Sequence, residues 1–264
     1  MKHVLLIIGG LLLLSAGRGV QVVEEEEGAS LERRQQELAI EVLSLYLEVD
    51  SSRMSEHVVL TQMADSLVGT GEEGKEFDPA FIYKVVTRVD SVAKAGIELA
   101  LQNKSRALLE LLEKEKENFY AHPNNMIDNE LGFHQLLISL YGLCYEDTKV
   151  AYAKIVPLME FSRLHIYAWE VMKGEEHPYY IDVLADLLRC CIWAEEYEKA
   201  IEVGKEWCGR MEEDDENYVA GMVVLGKLYG QVGMINKQKR CFRLMKNSPL
   251  FEKLNAMSLS ELCE

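Results

Sequence analysis

Residues 179–249 read YYIDVLADLLRCCIWAEEYEKAIEVGKEWCGRMEEDDENYVAGMVVLGKLYGQVGMINKQKRCFRLMKNSP, and two passes of one pattern lie inside them. In the second pass Met222-x-x-Leu225-Gly226-x-x-Tyr229 is followed by Gln238 and Phe242. In the first, Leu184-x-x-Leu187-Leu188-x-x-Cys191 is followed by Ala200 and Gly204. Every slot recurs at the same offset, which also pairs Glu195 with Gly233 and Tyr197 with Ile235. Apolar residues three and four apart form one stripe of a helix, and two such stripes joined by a turn form a helical pair. One pair cannot bury its stripe alone, so repetition predicts stacking on a neighbour. At two slots a small residue of one pass is replaced by a larger one in the other. Leu188 stands where the second pass has Gly226, and Gln238 where the first has Ala200.

This spacing resembles the tetratricopeptide repeat (TPR), W-x2-L-G-x2-Y, then A, then x3-F, then P. The resemblance covers about a quarter of the chain. The acidic segment at 211–217 makes the period longer than the family's by about one helical turn. The resemblance implies an all-α fold, a TPR-like α-solenoid of stacked antiparallel helix pairs. It also implies a concave groove, lined by the first helix of each pair, that receives a peptide or a partner's helix. Arg189 and Lys227 occupy one slot in successive first helices, two residues after Leu187 and Leu225, and that slot faces the groove in the family. Asp182, Trp193 and Gln231 fall at other groove-like slots. The family's lysine-and-asparagine clamp for a terminal carboxylate is not reproduced. The implied partner is a protein or peptide, acidic or carboxylate-bearing.

Working outward, residues 1–17 read as a secretory signal. Lys2 and His3 form a short basic start, residues 4–14 are an apolar run, and Ser15-Ala16-Gly17 supplies small residues for cleavage. Eleven apolar residues fall short of the ~20 needed to span a bilayer. The expected product begins near Arg18 and lies outside the cytoplasm, periplasmic or secreted, with no membrane span after cleavage. Its charge is 27 minus 44, or −17. An acidic surface repels phosphate backbones and anionic lipids, so nucleic acid is not an expected partner. Residues 18–29, with glutamate at 24–27, read as an acidic, disordered tail.

Residues 30–178 read as degenerate helical pairs. Ser30 is an N-cap for a helix carrying Leu38, Val42, Leu45 and Val49, and a second helix spans 55–68. The glycine loop at 69–74 has acidic neighbours and no lysine before Ser or Thr, so it is not a phosphate loop. Asp78-Pro79 restarts a helix with Ile82, Val85, Val86, Val89, Ala93, Ile97 and Ala100 on its stripe. Another follows with Leu108, Leu109, Leu111 and Leu112, ending at the linker His122-Pro123-Asn124-Asn125. A weak third repeat is visible at Ile138-Ser139, Ala151 and Ile155, with a turn at Glu146-Asp147. Pro157 then predicts a kink or an extra helix through 158–172. Past the two repeats of 179–249, residues 250–264 form a capping helix with Phe251, Leu254, Met257, Leu259 and Leu262.

Residues with catalytic potential are scattered. The histidines show no H-E-x-x-H spacing, and His122 and His177 precede proline in linkers, where a hydrogen-bonding or solvated role fits. No G-x-S-x-G elbow occurs. Cys144, Cys190, Cys191, Cys208, Cys241 and Cys263 form an even count compatible with a disulfide, but the repeat-helix positions of Cys191, Cys208 and Cys241 favour packing. No catalytic residue, metal or cofactor is assigned. The sequence thus points to an exported helical-repeat scaffold that binds a protein or peptide. Two other classes stay open: an anchored, sensory part of a membrane signalling system, and a small-ligand carrier.

Overall fold

The computed structural model describes residues 24–47, 79–122, 127–212 and 215–263, which contain ten helices and no strand. The expected signal segment, the helix at 55–68, the glycine loop at 69–74 and the linker at 123–125 lie outside the described residues. The chain divides between Cys144 and Tyr145 into two compact units.

The first unit holds α1 (Glu24–Ser44), α2 (Pro79–Leu101), α3 (Ser105–Tyr120) and α4 (Ile127–Cys144). Helix α1 begins upstream of the expected Ser30 cap, so 24–29 start a helix instead of ending a tail. The buried stripe of α1 is also displaced from the expected one: Ala39, Val42, Leu43 and Tyr46 are buried, whereas Leu45 is exposed. Val85, Val89, Ala93 and Ala100 of α2 and Leu108, Leu109 and Leu112 of α3 are buried on the expected stripes. The contacts close on themselves, because α1 packs on both α2 and α4, while α3 joins α2 to α4. At one end Tyr46, Phe119 and Phe133 pack ring against ring, with Tyr46 edge-on to Phe119 at 4.9 Å. His122 joins this cluster 5.1 Å from Tyr46 and is 3% exposed, so it is a core residue and not a solvated one. Burial pushes its imidazole down to about 4, which keeps it neutral.

The second unit holds α5 (Thr148–Lys173), α6 (Tyr180–Trp193), α7 (Tyr197–Gly209), α8 (Glu216–Gln231), α9 (Ile235–Met245) and α10 (Phe251–Ala256). Here each helix from α5 to α9 packs on the next, and α10 packs back on α8. Pro157 neither ends α5 nor divides it: one helix of 26 residues runs through it. Proline leaves one carbonyl without its helical donor, and the remaining turns carry the helix on. Asp147 caps its start by accepting from the Val150 N–H, and Gly174 ends it in the left-handed region at φ 69°.

The turns inside the two pairs take the same backbone path. After α6, Glu195 is left-handed at φ 60°; after α8, Gly233 is left-handed at φ 74°. The Glu196 N–H donates to the Cys191 carbonyl at 2.9 Å, and the Met234 N–H to the Tyr229 carbonyl at 2.7 Å. Each bond closes a helix end, and donor and acceptor of the second occupy the repeat slots of donor and acceptor in the first.

The side chains across each pair are exchanged. A Cβ on Gly226 would lie 2.3 Å from the Phe242 ring, so the first helix gives way to a large residue on the second. In the first pair the slot of Phe242 holds Gly204; a Cβ there would lie 2.9 Å from Leu225 of α8, the first helix of the next pair, and 3.6 Å, an ordinary contact, from Leu188. Leu188 thus faces a glycine across its pair, and the room that this glycine leaves is taken by Leu225. In the second pair the Gln238 amide fills the space left by Gly230; the corresponding residues of the first pair are Ala200 and Ile192.

Candidate functional site

The slots that the repeat pattern assigns to a groove are on α6 and α8. On α6, the Arg189 guanidinium lies 2.9 Å from the Asp186 carboxylate, one turn back on the same helix. Asp186 is 8% exposed. Burial pushes its carboxyl up to about 6, with Arg189 opposing and Asp182 adding to the rise. Trp193, half-buried at the end of α6, stacks on Tyr152 of α5 with ring centroids 6.2 Å apart. The Tyr152 hydroxyl is raised by burial and lies in the field of Cys190, Arg189 and Asp186. Arg189, Asp186, Tyr152 and Trp193 thus make one patch, combining a cation held by a partly compensated acid with a stacked aromatic pair. Asp182 is exposed one turn before Asp186.

On α8 the arrangement differs. The Lys227 ammonium donates to the Asn255 carbonyl of α10 at 2.9 Å, and burial pushes it down while Glu261 opposes. Gln231 is exposed at the end of α8. Phe251 of α10 meets Phe242 edge-on at 5.8 Å. The C-terminal segment is therefore seated on Lys227, and the two cations do not stand as a bare pair. Asp186 could have been noticed three residues before Arg189, where helical spacing brings opposite charges together. Tyr152 and the seat of Asn255 carry no local signal, because both come from other helices.

A second polar cluster ties the start of the repeats to α5. Arg163 lies 2.6 Å from Glu160 and 2.9 Å from Glu206 of α7, and the Tyr180 hydroxyl donates to the same Glu206. Arg210 binds Glu170 at 2.9 Å and lies over the Tyr180 ring at 4.6 Å. Glu170 also accepts from the His177 N–H at 2.8 Å. Burial alone would raise the Glu170 carboxyl, but the His177 N–H and Arg210 hold it below the usual range. The charges in this cluster are matched to each other, which makes it a clamp between helices. Neither His177 nor the arginines were singled out for it from sequence.

No disulfide joins the six cysteines, and all except the half-buried Cys144 are buried. Burial raises the Cys190 thiol and pushes Cys191 and Cys208 up to about 12, so they pack as neutral thiols. Among the described residues no group of three or more His, Cys, Asp or Glu could hold a metal ion, and no helix is long and apolar enough to cross a membrane.

Comparison of the chain with protein-family models, with curated proteins and with solved structures found no match.

Proposed function

We propose that this chain is an exported scaffold, a TPR-like α-solenoid that receives a protein or peptide partner in the groove formed by successive first helices. The observation that carries this reading is the recurrence of one helical pair. The same left-handed turn and the same closing hydrogen bond recur at matching slots, with volumes exchanged but filled across each pair. Repeated pairs that each leave a stripe to be covered are the physical basis of a stacked binding surface. Export is supported by the basic, apolar, small order of positions 1–17.

The patch of Asp182, Arg189 and Trp193, with Tyr152 and Asp186 beside it, is the part of this groove suited to an acidic or carboxylate-bearing ligand. An incoming carboxylate would share the guanidinium with Asp186, which holds it at 2.9 Å from the side of α6. Lys227 and Gln231 extend the surface, with residues 251–263 to be displaced from Lys227 on binding.

The test is capture of partners from an extracytoplasmic fraction by the mature protein and by Arg189→Glu/Lys227→Glu. Reversal of both charges is expected to weaken capture of a given partner more than ~tenfold, with helix content unchanged by circular dichroism. Equal capture at equal salt would remove the groove from the reading. N-terminal sequencing is expected to place the mature start near Arg18; Met1 retained on a cytoplasmic protein would remove export.

A further inference from the structure

Residues 217–251 contain no Asp or Glu and six Lys or Arg, in a chain with 44 acidic residues and a net charge of −16. The rest of the chain therefore carries −16 minus 6, or −22. One of the six, Lys227, is held by Asn255. The other five, Lys237, Lys239, Arg240, Arg243 and Lys246, lie on α9 or at its C-cap, and all are exposed. Lys237 reaches over the Tyr229 ring at 5.4 Å. Among the described residues none of the five takes part in an ion pair, whereas Arg33, Arg88, Arg106, Lys149, Arg163, Arg189 and Arg210 all do.

The placement follows from how α9 packs. Its inner side is Gln238 against Gly230, the buried Cys241, and Phe242 against Gly226. Its outer side carries Lys239, Arg240, Arg243 and Lys246 together with an exposed apolar residue, Leu244, while Ile235 lies on the flank of the inner stripe, three and seven residues before Gln238 and Phe242. Helix stability does not account for this. Cations in the last turn complement the helix dipole, but Lys237 and Lys239 stand near the first turn, where the dipole disfavours them. Like charges three and four apart, such as Arg240 with Arg243 and Lys239 with Arg243, also repel by a few tenths of a kcal/mol each.

We propose that the outer face of α9 is a docking surface for an acidic amphipathic helix of a partner protein. Glutamates or aspartates of that helix pair with Lys239, Arg240, Arg243 and Lys246, and its apolar residues cover Leu244. The size fits, since 11 residues make a face about 16 Å long, comparable to three turns of a partner helix. A nucleic acid or an anionic bilayer extends well beyond that length and would meet the acidic remainder of the protein, where the same field repels it. A short acidic helix ends before that happens, and screening over about 8 Å confines the attraction to the patch. This surface is separate from the groove slots, so it stands or falls independently of them.

The test uses the full chain and a short, fluorescein-labelled synthetic helix with glutamates along one face and leucines beside them. Anisotropy is read at low and high salt, and compared with a scrambled peptide of the same composition, a heparin oligosaccharide and phosphatidylglycerol vesicles. The helical peptide is expected to bind in a salt-sensitive way. Lys239→Glu/Arg240→Glu/Arg243→Glu is expected to weaken it more than ~tenfold, Leu244→Ser about threefold, and the control Lys84→Glu/Lys94→Glu in the first unit not at all. The glutamine triple at the same positions serves if the charge reversal does not fold. Equal binding by the scrambled peptide, stronger binding to heparin or vesicles, or no loss in the triple variant would overturn the proposal. Concentration-dependent self-association abolished by the same triple would overturn it in favour of a second copy of this chain.

Discussion

In the pair α6–α7 the large residue of the crossing is Leu188 and the small one is Gly204; in α8–α9 the small one is Gly226 and the large one Phe242. The backbone around them is the same, down to the hydrogen bond that closes each turn. Their chemistry otherwise diverges. Residues 180–209 carry seven acidic and three basic residues, while the corresponding 218–247 carry no acidic and six basic. The first pair is tied to α5 by Arg163 and Arg210, but the slots of Glu206 and Arg210 are Leu244 and Ser248 in the second. The comparison teaches that the repeat is held by paired volumes and turn geometry. The single residue at a slot is free to change when its partner across the pair changes too, and surface charge is free to change altogether.

The largest expected effect tests the volume exchange. Gly226→Leu forces a side chain into the Phe242 ring and is expected to cost roughly 3 kcal/mol or more by urea unfolding. Gly226→Leu/Phe242→Gly copies the Leu188–Gly204 arrangement and is expected to recover most of that loss, a coupling of about 2 kcal/mol. Additive losses in the double variant would mean that the two slots do not compensate each other.

A smaller effect tests the clamp that only the first pair has. Arg210→Ala leaves the buried Glu170 with the His177 N–H alone and is expected to cost roughly 2 kcal/mol, below the value for a fully buried pair because Arg210 is partly exposed. Ser248→Ala at the matching slot is expected to change stability by less than about 0.5 kcal/mol. The sign with pH follows from the depressed Glu170 carboxyl. Its contribution is fully present above the unfolded carboxylate value of 4.5 and is lost as pH falls through the lower folded value. Melting temperatures across that acid range should therefore fall less steeply in Arg210→Ala than in the parent protein. A steeper fall would show that Arg210 is not what holds Glu170 ionised.

The smallest effect separates the two turns. Both need a left-handed residue, which glycine adopts freely and glutamate does not. Gly233→Ala is expected to cost about 1 kcal/mol, and Glu195→Gly to gain up to about 1 kcal/mol, offset by loss of the solvent-screened contact with Lys149. Equal responses at both sites would mean that one turn relaxes out of the left-handed conformation.

The sequence alone determined the helical class, the stripes of α2 and α3, and the two turns at Glu195 and Gly233. Each of these rests on local periodicity or on a residue's own conformational limits, and both are written in neighbouring positions. The tertiary structure alone decided what each stripe faces. That choice closed α1 onto α4, exposed Leu45 and buried His122. It also set Tyr152 under Trp193 and placed the carbonyl of Asn255 on Lys227. Helical spacing fixes which residues share a face, but the partner of that face is chosen by contacts between distant segments, where the glycine of a pair can stand on either helix.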